Sequence, residues 1–284
     1  MTVAFAGCTA LGPRQCGKST LAVHLDPDRL FVSLDEGRYL ETARVDPDGF
    51  IESLPEKVTI DEIQRAPGLL RAIKRSVDMN RKPGRFILTG SANLLLLPEV
   101  DESLAGRMQI VRLQPFTDSE KEGKAGAFLE TLLDGNLKPS IQGGANTAQE
   151  LFTRMLKGGY PEVSNRSMKR TRQWHRDYLR SIVDRDIKDV AKVKDADDVA
   201  RMLEVIAIRT GELQNFSSLA NELKISNATA ERYLSVLQRL FLVRRLRSWQ
   251  KNPAKRLVKS PKYHIVDAGL GATLMGLNEN SWRD

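Results

Sequence analysis

The chain is poor in the residues from which disulfide, metal and membrane chemistry is usually built. Its 284 residues include two cysteines, Cys8 and Cys16, and three histidines. Two thiols cannot supply a disulfide framework, and so low a count suits a reducing cytoplasm. His24, His175 and His264 stand far apart with no helix-borne pair among them, so structural or surface roles are expected rather than a zinc site. Aromatic side chains make up 6% of the sequence. Of these, Trp174, Tyr178 and the aliphatic Ile182 recur at helical spacing and are expected in a core. No apolar run approaches the ~20 residues that span a bilayer; the longest leucine tract, Leu94 to Leu97, is hemmed by Asn93 and Pro98. The first residues lack the basic-then-apolar order of a secretory leader, and neither repeats nor low-complexity tracts occur. These absences predict a cytoplasmic protein with no membrane partner.

One further absence is local. Between residues 232 and 266 there is no Asp or Glu, against ten Lys and Arg. The overall net charge of +8 is therefore divided unevenly. Residues 1–150 hold 18 basic and 21 acidic side chains, and residues 151–284 hold 26 and 15. With 41% hydrophobic and 28% charged residues the chain has ordinary globular composition. Its length suits one large domain or two of ordinary size, and the uneven charge implies two jobs in two places.

Five short apolar runs, at residues 3–11, 30–34, 57–61, 86–89 and 109–113, alternate with helix-like or loop segments. That order predicts an α/β domain with a mostly parallel sheet. After Pro115 the character changes, through a Gly-, Asp-, Lys- and Ser-rich stretch, to helical patterns that a turn at Gly158-Gly159-Tyr160-Pro161 interrupts. The predicted divisions are 1–116 for the α/β core, 117–196 for a helical linker or lid, and 197–284 for a third region.

Residues 12–19, GPRQCGKS, match the spacing G-x-x-x-x-G-K-[ST] directly after an apolar strand and before a helix. Gly12 and Gly17 let the backbone curl so that successive N–H groups face phosphate oxygens, and the helix that follows turns its positive end to the same anion. The candidate nucleotide-binding residues are Gly12, Pro13, Arg14, Gln15, Cys16, Gly17, Lys18, Ser19 and Thr20. Lys18 would reach the β- and γ-phosphates of ATP, and the Ser19 hydroxyl would complete a Mg²⁺ shell. The strand Val58-Thr59-Ile60-Asp61-Glu62 ends in two carboxylates. Asp61 is placed to share the metal with Ser19, and Glu62 to polarise an attacking water. Ser91 or Asn93, after the fourth apolar run, would sense the γ-phosphate or orient the water, with a plain strand-end turn weighed equally. Arg107, after Gly106, would stabilise transition-state charge on its own subunit or a neighbour's, against a solvated surface role. Cys16 stands near a helix N-terminus, which lowers thiol pKa values; a small filler role is the preferred reading.

In the basic half, residues 217–239 predict a short helix over Ser218–Lys224, a turn, and a longer helix from Asn227 to about Phe241. Ser226 is the expected cap, and Ala230, Leu234, Leu237 and Phe241 form one apolar stripe. Strand-like segments at Val243–Trp249 and Tyr263–Val266 flank a turn at Asn252-Pro253, so helices and hairpin together read as a winged helix. Candidate nucleic-acid contacts are Asn227, Thr229, Arg232, Arg239, Arg245, Lys251, Lys255 and Arg256, with Arg244, Arg247, Lys259 and Lys262 as further phosphate contacts. DNA is favoured as the partner. Protein docking, either onto another protein or onto the chain's own acidic half, remains the alternative.

GPRQCGKSTL, VTIDEIQRAPGLL, FILTGSAN and ESLAGR, in this order, resemble the prokaryotic AAA-type ATPases that carry a C-terminal domain of unknown function. GGYPE at 158–162, RDI at 185–187, ISNATAERYLSVLQRLFLV at 225–243 and PKYHIVDAGLGATLMGL at 261–277 extend the resemblance over nearly the whole chain. It implies an AAA-like core, a mostly helical second part, and ATP binding and hydrolysis by the residues named above, with oligomers allowed. Two features of that family are not matched. Its helical lead-in before the first strand, which serves base recognition, has no counterpart in the 11 residues ahead of Gly12. Its nuclease-like tail with a Glu-x-Lys pair is not found either, so nuclease activity is not expected. The leading functional expectation is an ATP-hydrolysing switch coupled to DNA or a partner. A nucleotide-gated DNA-binding or scaffold protein with negligible turnover comes second, and a small-molecule phosphotransferase last.

Overall fold

The computed structural model describes residues 5–90, 106–124, 126–136, 148–188, 196–213, 216–252 and 259–281. They divide into one unit of Met1–Gln114 with Arg239–Phe241 and a second of Pro115–Gln238 with Leu242–Asp284.

The first unit is a five-stranded sheet built from the five apolar runs. β1 (Gly7–Leu11), β2 (Leu30–Ser33), β3 (Val58–Asp61), β4 (Phe86–Gly90) and β5 (Met108–Arg112) lie in the order β2-β3-β4-β1-β5. Every pairing is parallel. β3 and β4 are buried along their whole length, which is why they read as continuous apolar runs rather than alternating ones. Helix α1 (Lys18–Leu25) follows β1, α2 (Gly37–Val45) and α3 (Pro47–Ser53) follow β2, and α4 (Gly68–Met79) precedes β4. The apolar stripe of α4, with Leu69, Leu70, Ile73 and Val77, is buried. Because the strands are parallel, the ends of β1, β3 and β4 at Leu11, Asp61 and Gly90 fall on one edge of the sheet. In open α/β sheets that edge carries the ligand crevice.

The second unit is mostly helical: α5 (Asp118–Lys121), α6 (Phe128–Leu133), α7 (Ala148–Lys157), α8 (Met168–Ser181), α9 (Ala196–Ile208), α10 (Phe216–Leu223), α11 (Asn227–Arg239) and α12 (Ala268–Leu274). A π-helical turn, Ile182–Ile187, continues α8. Trp174 is half-buried and Tyr178 and Ile182 are buried, as their spacing predicts. Gly158, at φ 70°, ends α7. At Gly159 an added Cβ would fall 2.1 Å from the Phe116 carbonyl oxygen, so only glycine fits. The Gly159 amide donates to Asp267 Oδ2 at 2.6 Å, and Asp267 Oδ1 accepts from the Leu270 amide at 2.9 Å, capping α12. The Gly-Gly-Tyr-Pro and Asp-Ala-Gly-Leu segments thus meet as one structural joint.

The strands β6 (Val243–Leu246) and β7 (Lys262–Ile265) form an antiparallel hairpin, with Leu246 opposite Lys262. The expected strand through Trp249 stops at Leu246, because its partner strand is preceded by Pro261, which has no N–H to extend the ladder. The long helix ends at Arg239, and the chain reverses through Phe241 at φ 58°.

Candidate functional site: a phosphate loop, a buried carboxylate and a basic hairpin

The loop between β1 and α1 holds two left-handed residues, Gln15 at φ 60° and Gly17 at φ 96°. Alternating handedness of this kind turns neighbouring N–H groups into one concavity that fits an anion. Gly12 and Pro13 are buried, Arg14 is half-buried, and Gln15 and Thr20 are exposed. A Cβ at Gly12 would lie 2.2 Å from the Leu113 carbonyl oxygen, so the loop is fitted against the end of β5 through a glycine. Lys18 is 5% exposed, and its ammonium donates to the carbonyl oxygens of Pro13 at 2.7 Å and Gly12 at 3.3 Å. The cation is therefore held inside the loop, not in solvent.

Asp61, at the end of β3, is 6% exposed. Ser19 Oγ donates to its Oδ1 at 2.7 Å, Thr89 Oγ1 donates to the same oxygen, and Ser33 Oγ donates to Oδ2 at 3.4 Å. The three hydroxyls come from α1, β4 and β2. A carboxylate this deeply buried requires such partners. Ser33 and Thr89 were missed in the sequence reading; their signal was a small hydroxyl residue at or next to the end of each strand neighbouring β3. Glu62 follows in the left-handed region at φ 57°, its amide donating to Thr89 Oγ1 at 3.3 Å. Its carboxylate accepts a hydrogen bond from the Gln64 side-chain amide.

Burial pushes the Cys16 thiol up, with the Lys18 charge acting weakly against it. The Cys16 Sγ donates toward the Leu113 carbonyl at 3.8 Å. Arg107 lies away from the loop. Its neighbour Met108 pairs with Gly7, the first residue of β1, whereas the loop follows Leu11. Five strand residues put it roughly 16 Å away along the sheet. Its guanidinium binds Asp78, Nε to Oδ1 and Nη2 to Oδ2 at 2.8 Å each, and holds that carboxyl below its ordinary pKa. A role for Arg107 at its own subunit's loop is thus corrected by its place at the opposite edge. Ser91 and Asn93, like Lys255 and Arg256, lie outside the described residues.

Asn227, Arg232, Arg245 and Lys251 of the second unit and Arg239 at the end of α11 are exposed, and Thr229 is half-exposed. Ser226 Oγ accepts from the Thr229 amide at 3.1 Å and caps α11. Arg232 and Arg239, two turns apart, share the solvent face of α11; Asn227 falls elsewhere on the helix. Thr229 Oγ1 is already bonded to Ser226 Oγ at 2.8 Å, and Arg232 lies over the Tyr233 ring at 5.6 Å. Arg244, Arg245 and Arg247 are exposed on or just after β6. Glu231 is exposed too and lies nearer to Asn227 around α11, an acidic neighbour just outside the acid-free stretch.

His175 is fully buried on α8, and desolvation lowers its pKa to about 4. Its Nδ1 meets Thr273 Oγ1 at 3.2 Å. Among the described residues, no three or more His, Cys, Asp or Glu side chains form a group that could hold a metal. Nor is any described helix long and apolar enough to cross a membrane.

Residues 7–121 match the family model of an AAA domain, and residues 148–281 match that of a domain of unknown function, DUF8612. The chain is 30% identical over 270 residues to the uncharacterised protein Rv2008c of Mycobacterium tuberculosis, covering 94% of this chain and 56% of the relative. An uncharacterised protein of Haemophilus influenzae is 27% identical over 228 residues, covering 76% of this chain and 52% of its own. The chain thus spans about half the length of the curated relatives it matches. Among solved structures, the Walker-type ATPase PABY2304 of Pyrococcus abyssi shares the fold at a TM-score of 0.54 and 16% identity, covering 95% of this chain and 91% of that one. Residues 7–121 are thus similar to an AAA domain, and the likeness to the solved ATPase is one of fold.

Proposed function

We propose, from the premise of an AAA-type P-loop unit over residues 7–121, that this protein binds ATP on Gly12–Thr20 and hydrolyses it, and that its basic hairpin contacts DNA. The observation that carries the first part is the contact between Ser19 Oγ and Asp61 Oδ1 at 2.7 Å, beside a Lys18 ammonium already inside the loop. The two oxygens, from different elements, can enter the shell of one hard cation. Mg²⁺ is usually held by one or two protein groups together with substrate phosphates, so a larger ligand cluster is not required. Ser19 and Asp61 would hold the ion, which would neutralise charge on the β- and γ-phosphates. Lys18 binds the same phosphates. Glu62, next to Asp61, orients and polarises the attacking water. Ser91 keeps its proposed role as γ-phosphate sensor. Arg107 acts, in this reading, on the nucleotide of a neighbouring subunit.

The second part rests on the order α9, α10, α11 and hairpin, which we read as a winged helix. Arg232 and Arg239 on α11 and Arg245 and Lys251 on the hairpin contact phosphates, with Asn227 and Thr229 at the start of α11. A specific observation favours slow turnover as the second reading: the Glu62 carboxylate is engaged by Gln64. In that case nucleotide would gate DNA or partner binding without steady hydrolysis.

Calorimetric titration of ATP with and without Mg²⁺ tests the site. Wild type should bind, and Lys18→Ala should lose about a hundredfold in affinity or more, as expected for a lost charge-assisted phosphate contact. Equal binding by both proteins would refute the assignment.

A further inference from the structure

Tryptophan is buried over most of its surface in folded proteins. The two described tryptophans of this chain differ. Trp174 stacks on Tyr178 with ring centroids 5.0 Å apart and lies 5.2 Å from the Tyr160 ring. Trp249 is 75% exposed, and among the described residues no aromatic ring packs on it. It stands three residues past the end of β6, between Arg247 and Lys251, which are both exposed.

The strands beside it carry the same mixture. Lys262 is opposite Leu246 in the hairpin and bridges Leu213 on its other side, so these three residues share one face. Leu246 is 53% and Leu213 68% exposed, and Lys262 is exposed as well. No carboxylate occurs between residues 232 and 266; exposed Glu212, next to Leu213, and Glu231 on α11 lie outside that stretch. Duplex DNA offers phosphates to such a surface but hides its base faces. Unpaired bases present those faces, and they stack on exposed aromatic rings flanked by cations that follow the backbone.

We infer that Trp249 is a base-stacking residue and that the hairpin takes DNA with unpaired bases. The inference rests on the DNA reading proposed above and narrows it. The indole supplies the flat face for one base, while Arg247 and Lys251 bind the phosphates on either side. An acidic protein segment that covers the indole with an apolar side chain is the alternative occupant; one ring between two cations matches a base between two phosphates, which favours DNA.

Fluorescence anisotropy with the full chain at low salt decides this, using labelled oligothymidylate and a blunt duplex of equal length. Trp249→Ala and Trp249→Phe are compared with wild type after thermal melts show that both fold. Trp249→Ala should lower single-strand affinity about tenfold and Trp249→Phe should recover most of the loss, because stacking tolerates any aromatic ring. Duplex affinity should stay within about twofold, since phosphate contacts dominate it. Equal losses on both DNAs, or none on either, would overturn the inference and leave the DNA reading standing. If wild type bound neither DNA, the DNA reading would fall and this inference with it.

Discussion

The two units place their polar chemistry in opposite surroundings. In the sheet unit, Lys18 and Asp61 are buried, and each is held by oxygens or hydroxyls from its own loop or neighbouring strands. In the helical unit, the described arginines and lysines of the hairpin stand in solvent. The difference matches what each unit is proposed to do. Phosphoryl transfer needs donors and acceptors fixed before the substrate arrives, because low-dielectric, preorganised groups stabilise developing charge best. Phosphate-backbone contact needs reach and numbers, and exposed side chains supply both. Buried polar groups in the helical unit exist too, but they hold the fold: Asp267 ties Gly159 to α12, and His175 bonds Thr273.

This contrast can be broken by substitution. The largest effect is expected in the sheet unit. Asp61→Ala removes the acceptor of three hydroxyls and the proposed metal ligand together, and should cut ATP turnover by about a hundredfold or more, measured as phosphate release under saturating Mg²⁺. A metal dependence unchanged from wild type would show that Asp61 is only structural.

The next effect concerns the buried polar groups of the helical unit. His175 is neutral in the fold, with a pKa of about 4, against 6.5 for a free histidine. Below pH 6.5 the unfolded chain takes up a proton that the native state refuses, so stability falls as pH drops from about 6.5 toward 4. The loss should amount to about 3 kcal/mol, read from denaturant melts across that range, and His175→Gln should abolish most of it. Burial raises the Asp267 pKa, which acts in the opposite direction as pH falls, so the comparison between variant and wild type is what isolates the histidine. A variant with the same acid slope as wild type would remove the claim.

The smallest effect belongs to single exposed cations. Arg245→Ala should weaken DNA binding evenly across sequences and lower the slope of log affinity against log salt by about one. A sequence-dependent loss would instead make Arg245 a base reader.

Much of this was legible in the sequence, and the limits of legibility have physical causes. β3 and β4 could be read because parallel strands covered on both faces must be apolar throughout, while the partly exposed β2 and β5 were legible only as short apolar runs. The loop could be read because its glycines have no substitutes, and Asp61 because it ends such a strand. The hydroxyls of Ser33 and Thr89 became visible only once β2-β3-β4 were neighbours, since strand order is not written in any local pattern. Arg107 seemed free for catalysis because Asp78, its partner, lies 29 residues earlier on another element. Asp267 stood out as a motif, but the reason for it is an amide 108 residues away. The hairpin's extent was overestimated because Val243–Trp249 has strand-like residues throughout, while the stop is imposed by Pro261 on the other strand.

The central claim is that Glu62 activates water for hydrolysis of ATP held at Gly12–Thr20. Steady-state phosphate release by wild type and Glu62→Gln, with ATP binding measured in parallel, tests it most directly. The account predicts Mg²⁺-dependent release by wild type, a loss of roughly a hundredfold or more in the variant, and ATP affinity unchanged. Equal release by both proteins, or no release from wild type, would contradict it.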